Sequence, residues 1–282
     1  MNILTFDIEE WFHILDNQST KTEKEWNNYE CRLHQNMDRI FTLLEDNNQK
    51  ATFFCLGWVA RNYPEIIQKI HALGHEVACH SDRHQLAYEQ SPAEFKRDLE
   101  TALDALEDIT GEKVRSYRAP GFSFTSRNKW VFEKLIECGI ERDCSIFPAS
   151  RAHGGFADFG KEIPTLVRFK GAEIREFPIN TYKILGKNII FSGGGYFRLL
   201  PYFMVRYFTN HSRYVMTYFH PRDLDGDQPL IEDLSLIRKF KSYYGLKQCE
   251  KKLDRFLKEF DFLTLDQADR QIDWSIAPVI EM

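Results

Sequence analysis

HEVACHSDRH, residues 75–84, joins an apolar run with strand character to an abruptly polar turn carrying two histidines four apart, with Ser81, Asp82 and Arg83 between them. A short apolar run that stops this sharply reads as a buried strand whose end is put to chemical use. Just upstream, PEIIQKIHALG places Pro64 in a first helical turn and Gly74 as a stop, so a helix feeds the strand. Earlier still, NILTFDI and ATFFCLG (51–57) read as strands, and LHQNMDRIFTLLEDNN between them has apolar residues at helical spacing. Downstream the alternation repeats: AEFKRDLETALDALEDITG is a long amphipathic helix, VRSYRAP a strand edge, NKWVFEKLIECG a helix and IERDCSIFP a strand. Residues 149–197 are glycine-rich and loop-like, with strand candidates at EIREFPI and NIIFSGG. RYVMTYFHP is a clear strand, KKLDRFLKEF a helix and FLTL a final strand. Strands alternating with helices imply βαβ units and a mostly parallel sheet.

The chemically loaded residues gather where apolar strands run out: Asp7 and Glu9, His80 and His84, Arg118, Asp143 and His220. In a parallel barrel those ends share one face, the face on which active sites are built. His80 and His84 can point two ring nitrogens at one ion, and DIEE after the first strand offers a carboxylate as third ligand. Two histidines and one carboxylate leave positions open for water and substrate, which suits a catalytic divalent ion.

Composition bounds the rest. A chain of 282 residues with 43% hydrophobic content, 23 Phe, 12 Tyr and 5 Trp can bury a sizeable core. No domain boundary stands out, and one domain over residues 1–282 is expected. A net charge of -5 without long basic runs gives no footprint for nucleic acid or anionic membranes. There is no membrane-length apolar stretch, and MNILTFDIEEWF lacks the marks of a secretory signal, so the expected compartment is cytoplasmic. Six cysteines without C-x-x-C pairs point to reduced thiols, with Cys79 simply packing. His75 reads as structural, and His13, His34, His71, His153 and His211 have no partner at useful spacing. Gly193–Gly195 lacks the residues of a phosphate loop and fits a tight loop lining a groove, followed by Tyr196 and Phe197.

TFDIEEWF, HSDRH, RAPGF and YFHPRD, in that order and spacing, resemble the polysaccharide deacetylase family of the NodB type, carbohydrate esterase family 4. GGGYFRLLPY and HPRDLD resemble its branch from exopolysaccharide and surface-polysaccharide gene clusters. The resemblance runs from Met1 to about Asp269. It implies an α/β fold, a distorted (β/α)7 barrel, and metal-dependent removal of N-acetyl groups from an amino sugar in a polysaccharide or glycan precursor. The ion expected is Zn2+, with Co2+, Ni2+ or Mn2+ as alternatives. By matching motif, Asp7 falls on the catalytic base, His80 and His84 on metal ligands, Arg118 on the arginine that steadies the base and His220 on the general acid. Pro120, Gly121, Tyr196 and Trp11 fall on the substrate side.

Two positions depart from the family pattern. The usual second Asp of the first motif is Ile8, so Glu9 becomes the ligand, with Glu10 as fallback. Alternation along a strand sets Asp7 and Glu9 on one side and Ile8 in packing. DCSIFP supplies Asp143 without the usual tryptophan, to orient His220 or Arg118, and Asp223 competes with it for that task. Two rivals remain open: an amidohydrolase of the same barrel acting on a small cyclic amide or ureide, and a catalytically inactive glycan-binding homologue.

Overall fold

The computed structural model describes residues 1–15, 22–149 and 154–282. They form two compact units, each assembled from two stretches: Met1–Ala51 with Thr181–Leu263, and Thr52–Asn180 with Thr264–Met282.

In the first unit the opening apolar run makes two short strands, Asn2–Ile3 and Thr5–Ile8. Asn2–Ile3 pairs in parallel with Val215–Met216, and the pairing continues through a bridge between Phe6 and Phe219. The Asp7 N–H donates to the Phe219 carbonyl at 2.8 Å and the Phe219 N–H to the Thr5 carbonyl at 3.1 Å. Two strands running the same way side by side finish together, which is why Asp7 and His220 end as neighbours. Phe6, Phe197 and Phe256 pack with Phe219 and Phe262 into one aromatic cluster. The helices Leu33–Asp46 and Leu246–Glu259 cover the interior with apolar residues three and four apart, such as Cys249, Leu253, Phe256 and Leu257.

The second unit holds a sheet whose strands, in spatial order, are Val279–Glu281, Thr165–Phe169, Ala172–Glu176, Arg142–Asp143, Ser116–Tyr117, Glu76–Cys79 and Thr52–Cys55. All neighbours are parallel except Thr165–Phe169 and Ala172–Glu176, an antiparallel hairpin. The helices Pro64–Ala72, Pro92–Thr110 and Val131–Glu137 fall between strands in the chain, as the alternation predicted. The longest starts on a Ser91–Glu94 capping box with Pro92 in its first turn and stops at Gly111, whose φ of 70° is the left-handed cap that glycine adopts without strain.

Two expectations need correction. FLTL is not a final strand: Leu263 contributes only a bridge to Ile3, and Thr264 caps the helix Leu265–Gln271 through its side chain, so the last strand is Val279–Glu281. The loop-like stretch also holds the unforeseen strand Thr165–Phe169, which turns back through Lys170 and Gly171, both at positive φ. None of the six cysteines is disulfide-bonded. No helix among the described residues is long and apolar enough to cross a membrane.

Candidate active site

In the first unit the site begins at the end of Thr5–Ile8. Ile8 is fully buried, while Asp7 and Glu9 turn to the other side. His220 Nε2 lies 3.8 Å from Asp7 Oδ2 and 3.5 Å from Glu9 Oε1. The period-two alternation is borne out, since both carboxylates face one imidazole. Glu10 has a different task. Its Oε1 accepts the Arg32 and Leu33 N–H groups at 2.7 and 2.8 Å, and its Oε2 accepts the Trp11 N–H at 3.2 Å. It thus satisfies donors at the start of Leu33–Asp46 that the helix cannot pair itself. Burial pushes its carboxyl up, against these bonds.

His220 is held by Asp223, three residues on in a 3-10 turn. Asp223 Oδ2 accepts from Nδ1–H at 3.2 Å and from the His220 backbone N–H at 3.0 Å. Arg198 pairs with the other oxygen at 3.0 Å. Burial would raise the Asp223 carboxyl, but Arg198, His220 and Arg222 outweigh it and hold it at about 2. Burial likewise works against a charged His220, yet the Asp223 bond and the charges of Glu9, Asp223 and Asp7 push it up to about 9. The orienting residue is therefore Asp223, with Arg198 behind it. Its i, i+3 spacing from His220 was the signal in the sequence, whereas Arg198 offered none. The glycine run sits against this pair: a Cβ on Gly193 would lie 2.2 Å from the Tyr218 ring, and one on Gly194 3.5 Å from Asp223 Oδ2. Tyr196 is exposed next to it. Trp11 is not, for it is buried with its indole N–H donating to the Glu30 carbonyl and its ring set edge-on against Phe12 and Tyr29. Packing takes the place of the sugar contact expected for it.

In the second unit the strand Glu76–Cys79 delivers His80 and His84, both buried. His80 Nδ1–H donates to the Arg118 carbonyl at 2.8 Å, which fixes the ring and makes Nε2 its candidate ligand atom. The two rings lie 5.4 Å apart, and a nitrogen of each comes within 4.8 Å of the other, a spacing one ion can bridge. Ser81 and His84 have φ of 71° and 54°, conformations non-glycine residues rarely hold outside constrained sites. The constraint is visible. Asp98 accepts the Asp82 and Arg83 N–H groups at 2.9 and 3.3 Å, the His84 N–H donates to Ser81 Oγ at 3.0 Å, and both Asp82 oxygens take Arg61. Burial raises Asp98 to about 6 despite the two backbone bonds. Nothing in the sequence singled out Asp98 or Arg61.

Arg118 is fully buried, with its guanidinium 4.1 Å over the Phe54 ring and Nε donating to the Cys144 carbonyl at 3.4 Å. Pro120 and Gly121 follow in a 3-10 turn, Pro120 buried and Gly121 at φ 62°. Asp143, also fully buried, accepts Ser145 Oγ–H at 2.5 Å, and Ser145 in turn accepts the Ala119 N–H at 2.8 Å. Its carboxyl hydrogen-bonds that of Glu176, its register neighbour on the adjoining strand. Burial pushes both carboxyls up, Asp143 to about 6, and each one's charge disfavours the other's. Glu176 is a residue the sequence reading missed. His75 packs against Phe53, as its structural reading required, and His153 lies outside the described residues.

Residues 4–139 match the family model for polysaccharide deacetylases, the half that contains Asp7, Glu9, His80, His84 and Arg118. The chain belongs to the polysaccharide deacetylase family. The chain is similar to a peptidoglycan-N-acetylglucosamine deacetylase of Bacillus cereus, 26% identical over 102 residues that cover 36% of this chain and 37% of that one. It is also similar to a chitooligosaccharide deacetylase of Bradyrhizobium sp., 34% identical over 82 residues, 29% of this chain and 37% of the relative. The matches thus span little more than a third of these relatives' own lengths. Among solved structures, a putative polysaccharide deacetylase from Mycobacterium smegmatis superposes with a TM-score of 0.68 at 18% identity, covering 98% of this chain and 91% of that one. That likeness bears out the expected class, an α/β fold of the distorted (β/α)7 type. Residues 144–270 of the chain match a domain of unknown function, DUF3473, and supply Glu176, Arg198, His220 and Asp223.

Proposed function

We propose that both units serve one catalytic domain over residues 1–282, a metal-dependent hydrolase that removes N-acetyl groups from an amino sugar in a glycan. The observation that carries this reading is His220, charged and anchored by Asp223, with Nε2 facing the carboxylates of Asp7 and Glu9. An imidazolium beside a carboxylate is an acid next to a base, the pair that amide hydrolysis needs.

Glu9, His80 and His84 are the donors that would hold the ion. The fit rests on their chemistry, two buried imidazoles with one ring nitrogen fixed by the Arg118 carbonyl, plus a buried carboxylate. The ion, Zn2+ in this reading, supplies Lewis acidity to the acetamide carbonyl and its attacking water. Asp7 takes the proton of that water as its oxygen bonds to the carbonyl carbon, and His220 Nε2–H gives a proton to the sugar nitrogen as the C–N bond breaks. Acetate and a free amino sugar leave. Asp223 keeps the imidazole in one orientation throughout, and Arg118 is assigned to steadying the base.

The relatives named for peptidoglycan N-acetylglucosamine and for chitooligosaccharides support an N-acetylglucosamine-type substrate. The inward packing of Ile8, with Glu9 turned to His220, weakens the one feature that favoured an inactive glycan-binding protein. Acetate release from chitooligosaccharides and peptidoglycan, before and after chelation, tests the proposal. Activity should vanish with the ion, and a His80→Ala, His84→Ala double variant should hold none. A metal-loaded chain that releases no acetate from either glycan would refute it.

A further inference from the structure

A net charge of -5 conceals a segregation of charge. Residues 177–222 contain no Asp or Glu at all, but six cations: Lys183, Lys187, Arg198, Arg206, Arg213 and Arg222. The same stretch of the first unit exposes large apolar side chains. Tyr182–Ile184 and Lys187–Ile189 form a hairpin closed by Leu185 and Gly186, both at positive φ. Such a two-residue turn favours Asn, Asp or Gly at its first position. Leu185 occupies it instead, at φ 47° and 99% exposed, between two lysines. A leucine that is both strained and fully solvated gains nothing from the fold around it.

The hairpin has neighbours of the same kind. Tyr182 stacks on Phe208 at 4.6 Å and meets Tyr207 at 6.0 Å, so it stands beside the helix Tyr202–Asn210, whose Phe203 and Tyr207, four apart on one face, are both exposed. From the end of the preceding helix, Gly194–Leu199, Arg198 donates to the carbonyls of Tyr244 and Lys241, the latter at 3.2 Å. This ties in the helix Leu236–Tyr243, LIRKFKSY, which buries none of its residues. Leu236, Ile237 and Phe240 are 84%, 72% and 53% exposed, with Arg238, Lys239 and Lys241 between and beside them. Acids return at Asp223, Asp225 and Asp227, and at Glu232 and Asp233 ahead of that helix.

Exposed aromatic and aliphatic anchors with cations beside them are what an interfacial helix on anionic lipid presents. We propose that this surface of the first unit rests on an anionic lipid bilayer, with Leu185, Phe203 and the Leu236–Phe240 stripe entering the headgroup region and the lysines beside them meeting lipid phosphates. The whole-chain charge, which suggested no membrane footprint, averages this surface with acids placed elsewhere. The inference is independent of the deacetylase reading.

The test is co-sedimentation of the full chain with phosphatidylcholine vesicles and with mixed phosphatidylcholine–phosphatidylglycerol vesicles, at low and high salt. Binding should require phosphatidylglycerol and weaken with salt. Lys183→Gln with Lys187→Gln should lower the partition coefficient roughly 25-fold, about fivefold per cation. Ile237→Ser and Phe240→Ser should each lower it about tenfold. Circular dichroism of these exposed variants should match the parent. Absence of sedimentation with mixed vesicles at low salt overturns the proposal, as does equal, salt-insensitive binding to neutral vesicles. A concentration-dependent dimer that Ile237→Ser abolishes, without vesicle binding, also overturns it and assigns the surface to a second copy of the chain.

Discussion

Replacing Gly57 by alanine tests how tightly the HSDRH turn is held. Gly57 opens the helix Gly57–Asn62 with its N–H donating to the Ser81 carbonyl at 3.0 Å, so its backbone already touches the turn. A Cβ there would lie 2.3 Å from Asp82 Oδ1, 2.8 Å from the Ala102 Cα and 3.1 Å from the Ala102 Cβ. Neither neighbour yields cheaply. Asp82 is clamped by Arg61 and, through its N–H, by Asp98, while Ala102 is mid-helix in Pro92–Thr110. Overpacking a filled site costs about 1–3 kcal/mol, and two contacts this close put the cost near the top of that range. Alanine's helix preference over glycine returns up to about 1 kcal/mol, leaving a net loss of about 2 kcal/mol. The loss has two outlets. The unit can keep the turn and unfold more easily, or it can push the turn aside and misplace His80 and His84, at about tenfold in metal affinity per 1.4 kcal/mol. Urea denaturation of the metal-free chain and calorimetric metal titration read both, and together they should account for about 2 kcal/mol. A variant within about 0.5 kcal/mol of the parent in stability, and equal to it in metal affinity, would refute this account of the turn.

Asp7→Asn should keep the ion and lose turnover, because an amide hydrogen-bonds but accepts no proton, whereas Glu9→Gln should weaken the ion itself; calorimetry alongside acetate release distinguishes the two, and the reverse pattern would exchange their roles. In the metal-free protein the raised His220 pKa stabilises the folded state fully below about pH 6.5, and that contribution is lost as pH rises toward about 9. Asp223→Asn should flatten this slope and move the imidazole titration down, as followed by NMR; an unmoved titration would mean that Asp223 does not hold the proton. For Asp143 and Glu176 the folded state binds more protons than the unfolded chain above about pH 4, so stability falls as pH rises through about 6. Glu176→Gln, whose amide can donate to Asp143 without a shared proton, should reduce that fall and erase the infrared carbonyl band of a neutral carboxylic acid. An unchanged band would place the proton elsewhere.

Much of the site was legible because its residues announce themselves locally. His80 and His84 sit four apart at a strand end, and Asp7 and Glu9 two apart on a strand, so simple periodicity sets which way each pair faces. The residues that hold them were silent. Asp98 caps the HSDRH turn from 16 residues away in sequence, and Glu176 meets Asp143 across a strand pairing that only the fold creates. The Thr165–Glu176 hairpin hid for another reason. Its strands are half-exposed and charged, and its Lys170–Gly171 turn, though a fair hairpin signal, lies in a stretch that read as loop.

The two glutamates of DIEE show where local reasoning stops. Alternation separates Glu9 from Glu10 by face but cannot say which face is functional, because both are buried carboxylates at the same strand end. Tertiary structure distinguishes them by what each already satisfies. Glu10 is occupied by three backbone N–H groups, two of them from Arg32 and Leu33, and its charge is used up where a helix begins. Drawing it away to an ion would leave those buried donors unpaired, at about 1–3 kcal/mol each. Glu9 Oε1 instead faces the His220 imidazole, a group that needs a negative neighbour to stay charged. A Glu10→Gln variant should therefore lose stability before it loses metal, and Glu9→Gln metal before stability. Chemical denaturation and metal titration of the two side by side separate a structural carboxylate from a ligand, and matching losses in both would show that the strand end was misread.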